Sequence, residues 1–304
     1  MRRSGKRSAA PRQDRGNGCA GSTDNFALTT NIAASAKKAS RGAAPALNDT
    51  SGRGPDFVAA LERGLTVLET FGRGRERLTL SEVAAHTKLS RGTARRFLLT
   101  LVELQFLASD GKNFWLTPKV LNLSHGYLTS FGRGEVARPV LQAVSDRFQE
   151  SCSMAVLEGA DVVYVARVEA RRVFSSRIDV GTRLPAHCSS LGRVLLAALP
   201  EDQFEAWMAR HDLVAWTERT ITDPGRFRAR IQDVRRARHA IIDGEIELGS
   251  RSIAVPIVNR SGATVAALNI GTSAARVSLD QLRRTFLPVL REAAQQIGGA
   301  LDGW

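Results

Sequence analysis

The chain has 304 residues, of which 43 are basic and 30 acidic, so its formal net charge is +13. This length suits two domains plus a tail, and the charge favours a polyanionic partner such as nucleic acid. Apolar runs fall short of the roughly 20 residues that span a bilayer, and the N-terminus lacks the apolar core of a secretory signal. Three cysteines are too few for a disulfide scaffold. We therefore expect a cytoplasmic protein with no membrane association, no metal site and no cofactor.

Residues 1–55 differ in composition from the rest of the chain. They are rich in Ala, Ser, Gly, Arg and Lys, and ten basic less three acidic side chains leave a charge of +7. Such a segment cannot bury enough apolar surface to offset its chain entropy, so we predict a disordered tail. Two roles stay open for it, a non-specific DNA-binding arm and a passive extension.

Residues 56–118 are predicted to form a winged helix-turn-helix domain. Apolar residues recur at helical spacing between Phe57 and Phe71, which predicts a first helix. A second helix, Ser81 to about His86, is capped by Thr79 or Ser81, and Ser90 caps a third. Lys88 stands in the turn between the last two helices, where a Gly often supplies a left-handed backbone.

A hairpin and the third helix together indicate DNA binding. Asp110-Gly111 is a strong turn signal between the strand-like segments 106–109 and 113–116, which would form the wing. In a helix-turn-helix, the first residues of the second helix enter the major groove, where Arg reads guanine well. The candidate DNA contacts are Ser90, Arg91, Thr93, Arg95, Arg96, Thr100 and Lys112. The alternative is a solvated helix face, but the order of short helix, tight turn and wing favours DNA.

The rest of the chain is predicted to contain linker helices over 119–150, broken near Gly132 and Gly134, and an α+β domain over 151–304. Long helices between clusters of strands predict a mostly antiparallel sheet with helices packed on it. The predicted strands are 153–157, 162–167, 175–179, 253–258 and 264–271, and the predicted helices are 190–198, 201–210, 224–239 and 278–301.

A loop marked by Gly and Pro leads into the helix that starts near Ser190. The free N–H groups of a helix N-terminus, with the hydroxyls of Ser189 and Ser190, suit a carboxylate ligand. The alternative is a cysteine-dependent enzyme in which Cys188 is the nucleophile and His187 its base. Adjacent residues seldom orient in that way and no third group is evident, so we assign no catalytic residue and expect no enzyme.

A second polar loop runs from Asp243 to Ser252, before the strand 253–258. Its carboxylates suit a cation or the hydroxyl groups of a ligand, and the alternative is a solvated turn. Asp243 is the candidate that we single out there.

These motifs resemble those of the IclR family of bacterial transcriptional regulators, over about residues 57–301. The resemblance lies in the winged helix-turn-helix, in Gly-Thr-Arg-Leu-Pro-Ala-His-Cys-Ser-Ser-Leu-Gly-Arg (181–193) and in Gly-Ser-Arg-Ser-Ile-Ala-Val-Pro-Ile (249–257). The segments 90–101 and 178–185 are most similar to the PcaR, PcaU and PobR branch, which controls aromatic-acid breakdown through the β-ketoadipate pathway.

The resemblance implies a GAF-like effector domain and a dimer or tetramer on a palindromic operator in double-stranded DNA. It also implies a pocket for a small carboxylic acid, and the positions on this chain are Val180, Ser189, Ser190, Leu191, Asp243, Ser250, Ser252, Asn269 and Gly271. Relatives that bind glyoxylate or pyruvate tend to have smaller residues where Ser190 and Leu191 stand, so we expect a larger aromatic or dicarboxylic acid. The remaining alternatives are a small-molecule-binding protein without a DNA role and a basic architectural protein without an effector.

Overall fold

The computed structural model describes residues 54–72, 74–130, 134–170 and 178–301. The predicted disordered tail therefore lies outside the described residues, apart from its last two. Among the described helices, none combines the length and the apolar composition needed to cross a lipid bilayer.

Three helices and a small sheet form the N-terminal unit. The helices are α1 (Ala59–Glu69), α2 (Leu80–Thr87) and α3 (Arg91–Glu103), and the strands are β1 (Leu78–Thr79), β2 (Leu107–Ser109) and β3 (Asn113–Leu116). The sheet is antiparallel with β3 in its centre, and β2 and β3 form the wing hairpin. Val67, Val83, Leu98 and Leu107 lie in the one hydrophobic core that these elements share. The winged helix-turn-helix predicted from the sequence is the observed arrangement.

Local hydrogen bonds fix the start and end of α2. Thr79 Oγ1 accepts from the Glu82 N–H and the Glu82 carboxylate accepts from the Thr79 N–H, so Thr79 rather than Ser81 is the cap. Lys88 ends the helix with a φ of 57°. This is the left-handed conformation expected of the turn residue, and a non-Gly residue adopts it at a cost of about 1 kcal/mol.

A helical connector joins the two units. Thr117 caps a 3₁₀ turn (Pro118–Val120), which leads into α4 (Leu121–Ser130), and α5 (Gly134–Phe148) follows. The predicted break near Gly132 and Gly134 thus falls between α4 and α5, at residues 131–133, which lie outside the described part.

A six-stranded antiparallel sheet forms the C-terminal unit. Its strands are β4 (Ser151–Glu158), β5 (Asp161–Val168), β6 (Arg183–Pro185), β7 (Ala240–Asp243), β8 (Ser250–Val258) and β9 (Thr264–Ser273). Their order in the sheet is β6-β5-β4-β9-β8-β7, and every neighbouring pair is antiparallel. The predicted α+β class is confirmed.

Helices cover both faces of this sheet. α6 (Ser190–Ala198), α7 (Glu201–Arg210) and α8 (Pro224–Ala237) share one core with the first face. The second face packs on α5 and on the C-terminal helix α9, which comprises Leu279–Gln281, a π-helical segment Leu282–Phe286 and Leu287–Ala300. Because successive side chains of a strand point to opposite faces, β4, β5, β8 and β9 contribute to both cores.

Two short edge strands and one predicted strand differ from the sequence prediction. β7 lies between the predicted helix 224–239 and the polar loop that begins at Asp243, and β6 lies in the predicted loop before Ser190. Strands of three or four residues show too little alternation to be recognised from sequence. The predicted strand 175–179 lies mostly outside the described residues, and its last two residues are not in a strand.

Candidate nucleic-acid interface and effector site

α3 divides its side chains between the domain core and solvent. Ala94, Leu98 and Leu101 are buried, and the helix packs on α1, α2 and β2. The outward candidates with exposed side chains are Ser90, Arg91, Arg95, Arg96 and Thr100, and Thr93 is half-buried. Two further outward residues, Gly92 and Leu99, were missed by the sequence reasoning, which considered only polar groups.

The N-terminus of α3 is locally ordered by its own hydroxyl groups. Ser90 Oγ accepts from the Thr93 N–H at 3.2 Å and lies 2.8 Å from Thr93 Oγ1. The guanidinium groups of Arg91, Arg95 and Arg96, in contrast, make no ion pair within the described residues. They are therefore available to an external anion or to a base edge.

The wing tip is held by one carboxylate. Asp110 Oδ1 accepts from the Asn113 N–H at 2.7 Å and from the Lys112 N–H at 3.0 Å. These hydrogen bonds lower the pKa of Asp110 to about 2, and the one from the Asn113 N–H has the largest effect. Lys112 therefore projects from a preorganised turn, exposed as predicted.

Arg77 is a basic residue beside the wing that the sequence reasoning missed. Its guanidinium carbon lies 4.2 Å from the ring centroid of Trp115, and its Nη1 lies 3.8 Å from Asp110 Oδ2. Arg77 precedes the two-residue strand β1, and only the pairing of β1 with the hairpin brings it to this surface.

In the C-terminal unit, two rows of cross-strand neighbours carry polar residues on the sheet face that α6 covers. The first row comprises Arg167, Ser153 and Asn269, and the second comprises Ser151, Gly271 and Ser252. Ala155, Ala254 and Ala267 are each two residues from Ser153, Ser252 or Asn269 on the same strand and therefore lie on the same face. These alanines pack in the core with α6. We call these six residues the polar rows.

Three buried polar atoms of this region have no hydrogen-bond partner among the described residues: Arg167 Nε, Asn269 Oδ1 and Ser190 Oγ. The Arg167 side chain is 11% exposed, donates from Nη1 to Ser153 Oγ at 3.1 Å and has its pKa lowered by burial. Its nearest anion, Glu169 Oε1, is 4.0 Å away. Buried polar groups are normally hydrogen-bonded to protein, ordered water or a ligand, so these three atoms call for partners that the described residues do not supply.

The predicted residues at the start of α6 have different environments. Ser189 is the N-cap, and its Oγ accepts from the Gly192 N–H at 2.9 Å, so that hydroxyl is engaged within the helix. Leu191 is fully buried in the core between α6 and the sheet. A Cβ on Gly192 would lie 2.1 Å from the Ala186 carbonyl oxygen, so only glycine permits this close approach. Ser190 alone presents an unused hydroxyl there.

Asp243 and Val180 lie apart from the polar rows, and Ser250, two residues before Ser252 on β8, has its hydroxyl engaged in the adjoining loop. Asp243 makes two hydrogen bonds of 2.9 Å to Arg251, on the opposite sheet face from Ser252, and this pairing lowers its pKa. Ser250 Oγ donates to the Glu247 carbonyl oxygen at 2.7 Å. Val180 lies in an exposed turn before β6. The structure therefore brings together Ser252, Asn269 and Gly271 of the predicted set, and adds Arg167 and Ser153.

The side chains of Cys188 and His187 do not face each other as a nucleophile and a base would. The Cys188 thiol points to the Pro185 carbonyl at 3.9 Å, and burial raises the pKa of this thiol. His187 Nε2 lies 2.9 Å from the Val214 carbonyl oxygen. A thiolate nucleophile needs a lowered pKa, so the geometry gives no support to the cysteine-enzyme alternative.

A winged helix-turn-helix joined to a sheet domain that holds unpartnered buried polar atoms is the arrangement expected of a DNA-binding regulator with a small-molecule-binding domain. Two family models match the chain: the IclR helix-turn-helix domain over residues 60–111 and the bacterial transcriptional regulator IclR C-terminal domain over residues 125–298. The chain belongs to the IclR family of transcriptional regulators.

Individual relatives agree with this assignment. The chain is 42% identical over 250 residues to the Pca regulon regulatory protein of Pseudomonas putida, which covers 82% of this chain and 86% of that protein. A transcriptional regulator from Rhodococcus sp. RHA1 has a similar structure, with a TM-score of 0.70 and 49% sequence identity. The match covers 80% of this chain and 97% of that chain. An IclR homologue from Microbacterium hydrocarbonoxydans, solved with 4-hydroxybenzoate, has a TM-score of 0.69, 29% identity and coverage of 80% and 98%. These relatives are regulators or homologues of regulators, not enzymes.

Proposed function

We propose that the protein is a cytoplasmic regulator of aromatic-acid breakdown genes, which binds a palindromic operator as a dimer or tetramer and responds to an aromatic carboxylic acid. The observation that carries the effector class is the set of unpartnered buried atoms on Arg167 and Asn269, which belong to one cross-strand row, and on Ser190 of α6, the helix that packs on these strands. The Pca regulon regulatory protein and the homologue that binds 4-hydroxybenzoate support the aromatic class.

The effector's carboxylate pairs with Arg167 in this proposal. A buried guanidinium is costly without a well-placed anion, and Glu169 at 4.0 Å is too distant for a direct hydrogen bond. Planar carboxylates suit the fork of an arginine. The Asn269 amide and the Ser190 hydroxyl then suit a ring hydroxyl, while Ser252 and Gly271 leave room on the same face.

On the DNA side, α3 is the reading helix and the wing supports it. Arg91, Arg95 and Arg96 supply base or phosphate contacts, and Lys112 reaches a neighbouring phosphate or the minor groove. Effector binding changes operator affinity if the effector binds one arrangement of the DNA-binding domains better than the other.

The effector proposal is tested by replacing Arg167 with Met, which keeps most of the side-chain volume. Loss of a charge-assisted hydrogen bond costs about 1.5–3 kcal/mol, so we expect 4-hydroxybenzoate or protocatechuate to bind about 10- to 150-fold more weakly in calorimetry. The matched control is Arg228→Met, because Arg228 is exposed and pairs with Glu205 outside the polar rows. A neutral analogue, 4-hydroxybenzamide, should bind both proteins with similar weakness.

Ser190→Trp complements this test because it fills the site. We expect it to abolish the effector response and to leave operator binding intact in gel-shift assays at a stated salt concentration. Undiminished affinity in Arg167→Met, or an unchanged response in Ser190→Trp, contradicts the proposed pocket. A wild-type protein with no preference for its upstream intergenic DNA contradicts the regulatory proposal as a whole.

A further inference from the structure

The outward face of α3 carries a leucine that the domain core does not use. Leu99 is 43% exposed, whereas Ala94, Leu98 and Leu101 of the same helix are buried. Residues three and four apart share a helix face, so Leu99 lies beside both Arg95 and Arg96. An apolar side chain therefore borders the arginine-bearing surface on its C-terminal side.

Gly92 lies on the same outward line, one turn before Arg95 and Arg96. It is exposed, and no atom lies within 4 Å of the position that a Cβ would take. A helix without a side chain at this point can approach a nucleic-acid surface closely at its N-terminal end. Gly92, Arg95, Arg96 and Leu99 form one continuous strip along the helix.

We propose that Leu99 contacts the C5 methyl group of a thymine and so sets one position of the operator sequence. This rests on the proposed reading of DNA by α3. The thymine methyl is the apolar group that B-DNA presents in the major groove, where the other base-edge groups are polar donors and acceptors. The positive charges of Arg95 and Arg96 complement the DNA phosphates and so bring this helix face to the groove.

Helix geometry places the contact relative to the rest of the site. Leu99 lies seven residues after Gly92, which is about 10 Å along the helix axis at 1.5 Å per residue. The thymine should therefore lie in the same half-site as the base pair that the first turn of α3 approaches, displaced from it toward the C-terminal part of the helix.

The test replaces each thymine of the operator in turn with deoxyuridine, which removes only the C5 methyl group. We expect the replacement to matter at one position of each half-site. There the wild-type protein should bind about fourfold more weakly per half-site, which is the loss of affinity for one buried methyl-sized group. Leu99→Ala should bind the unmodified operator more weakly and should no longer sense deoxyuridine at that position.

Leu104→Ala is the matched control, because Leu104 is comparably exposed just beyond the end of α3. It should retain the wild-type deoxyuridine pattern, and Leu99→Ala should retain the wild-type melting temperature and oligomeric state. The inference is overturned if Leu99→Ala keeps the full pattern, if no thymine is sensitive, or if the variant changes the oligomeric state instead. In each of those cases the wild-type protein still binds its operator specifically, so the proposed function stands. A wild-type protein without specific operator binding would count against the proposed function itself.

Discussion

Arg193 is a fully charged side chain in the interior of the effector domain, with 1% of its surface exposed. Its Nη2 donates to Glu245 Oε2 at 2.6 Å and its Nε donates to the His187 carbonyl oxygen at 2.9 Å. Glu245 also accepts from the Ile221 N–H at 3.2 Å. The pair therefore ties α6 to the loop after β7 and to the segment before α8.

We expect Glu245→Ala to lower the free energy of unfolding by about 3–5 kcal/mol, because it leaves a buried guanidinium without its anion. Urea denaturation followed by circular dichroism measures this. The control is Glu205→Ala, which breaks the exposed pair with Arg228 at 2.8 Å and should leave stability almost unchanged. Equal losses in the two variants would show that burial does not decide the strength of these pairs.

At this scale, the sequence predicts local features and misses distant partners. The outward arginines of α3 follow from helical spacing alone. Arg251 comes eight residues after Asp243, and no sequence pattern indicates that the two side chains pair. The structure shows that they do, so Asp243, predicted as a ligand residue, is an ion-pair partner. Arg167 and Ser153 lie on strands that were predicted, but the register that joins them to Asn269 is a tertiary property.

At the scale of elements, a buried carboxylate joins the linker helix to the strand that carries Asn269. Glu150 lies between α5 and β4, and its Oε1 accepts from Thr272 Oγ1 at 2.8 Å and pairs with Arg276 at 3.2 Å. Thr272 follows Gly271 on β9, on the opposite face from the polar rows. If ligand binding shifts β9, the Thr272–Glu150 hydrogen bond would carry the shift to the end of α5.

We expect Thr272→Val to leave effector affinity within about twofold and to reduce the change in operator affinity that the effector causes, because coupling requires an element that both sites bias. Calorimetry gives the first quantity, and fluorescence anisotropy of labelled operator, with and without effector, gives the second. Thr272→Ser keeps the hydroxyl group and should behave as the wild type. A Val variant with full coupling would exclude this route.

The elements themselves were predictable in proportion to their length. α6, α7 and the wing hairpin have many periodic positions or a strong turn signal, and the predictions match them within a few residues. β6 and β7 are edge strands of three and four residues that form only because β5 and β8 offer partners. Their existence depends on pairing rather than on intrinsic preference.

At the scale of the whole molecule, α1 carries an apolar stripe that its own domain leaves exposed. Leu61 and Leu65 lie four residues apart on α1, Val58 is exposed at its N-cap, and Leu61 is 61% exposed. Contiguous exposed apolar surface on a soluble domain marks an interaction site. The domain boundaries at residues 118 and 150 stay predictions. The dimer also stays a prediction, because the periodicity of one chain does not encode its oligomeric state.

We expect Leu61→Lys to weaken the dimer, because it places a charge in the apolar stripe that a second copy would cover. Two reading helices on one dimer contact half-sites about 34 Å apart, so the variant should lose affinity for the palindromic operator and retain the weaker binding to a single half-site. Sedimentation velocity measures the first effect and anisotropy the second. Val214→Lys, at a comparably exposed apolar position in the effector domain, should change neither. A Leu61→Lys protein that remains dimeric and binds the palindrome with wild-type affinity would place the dimer interface elsewhere on the molecule.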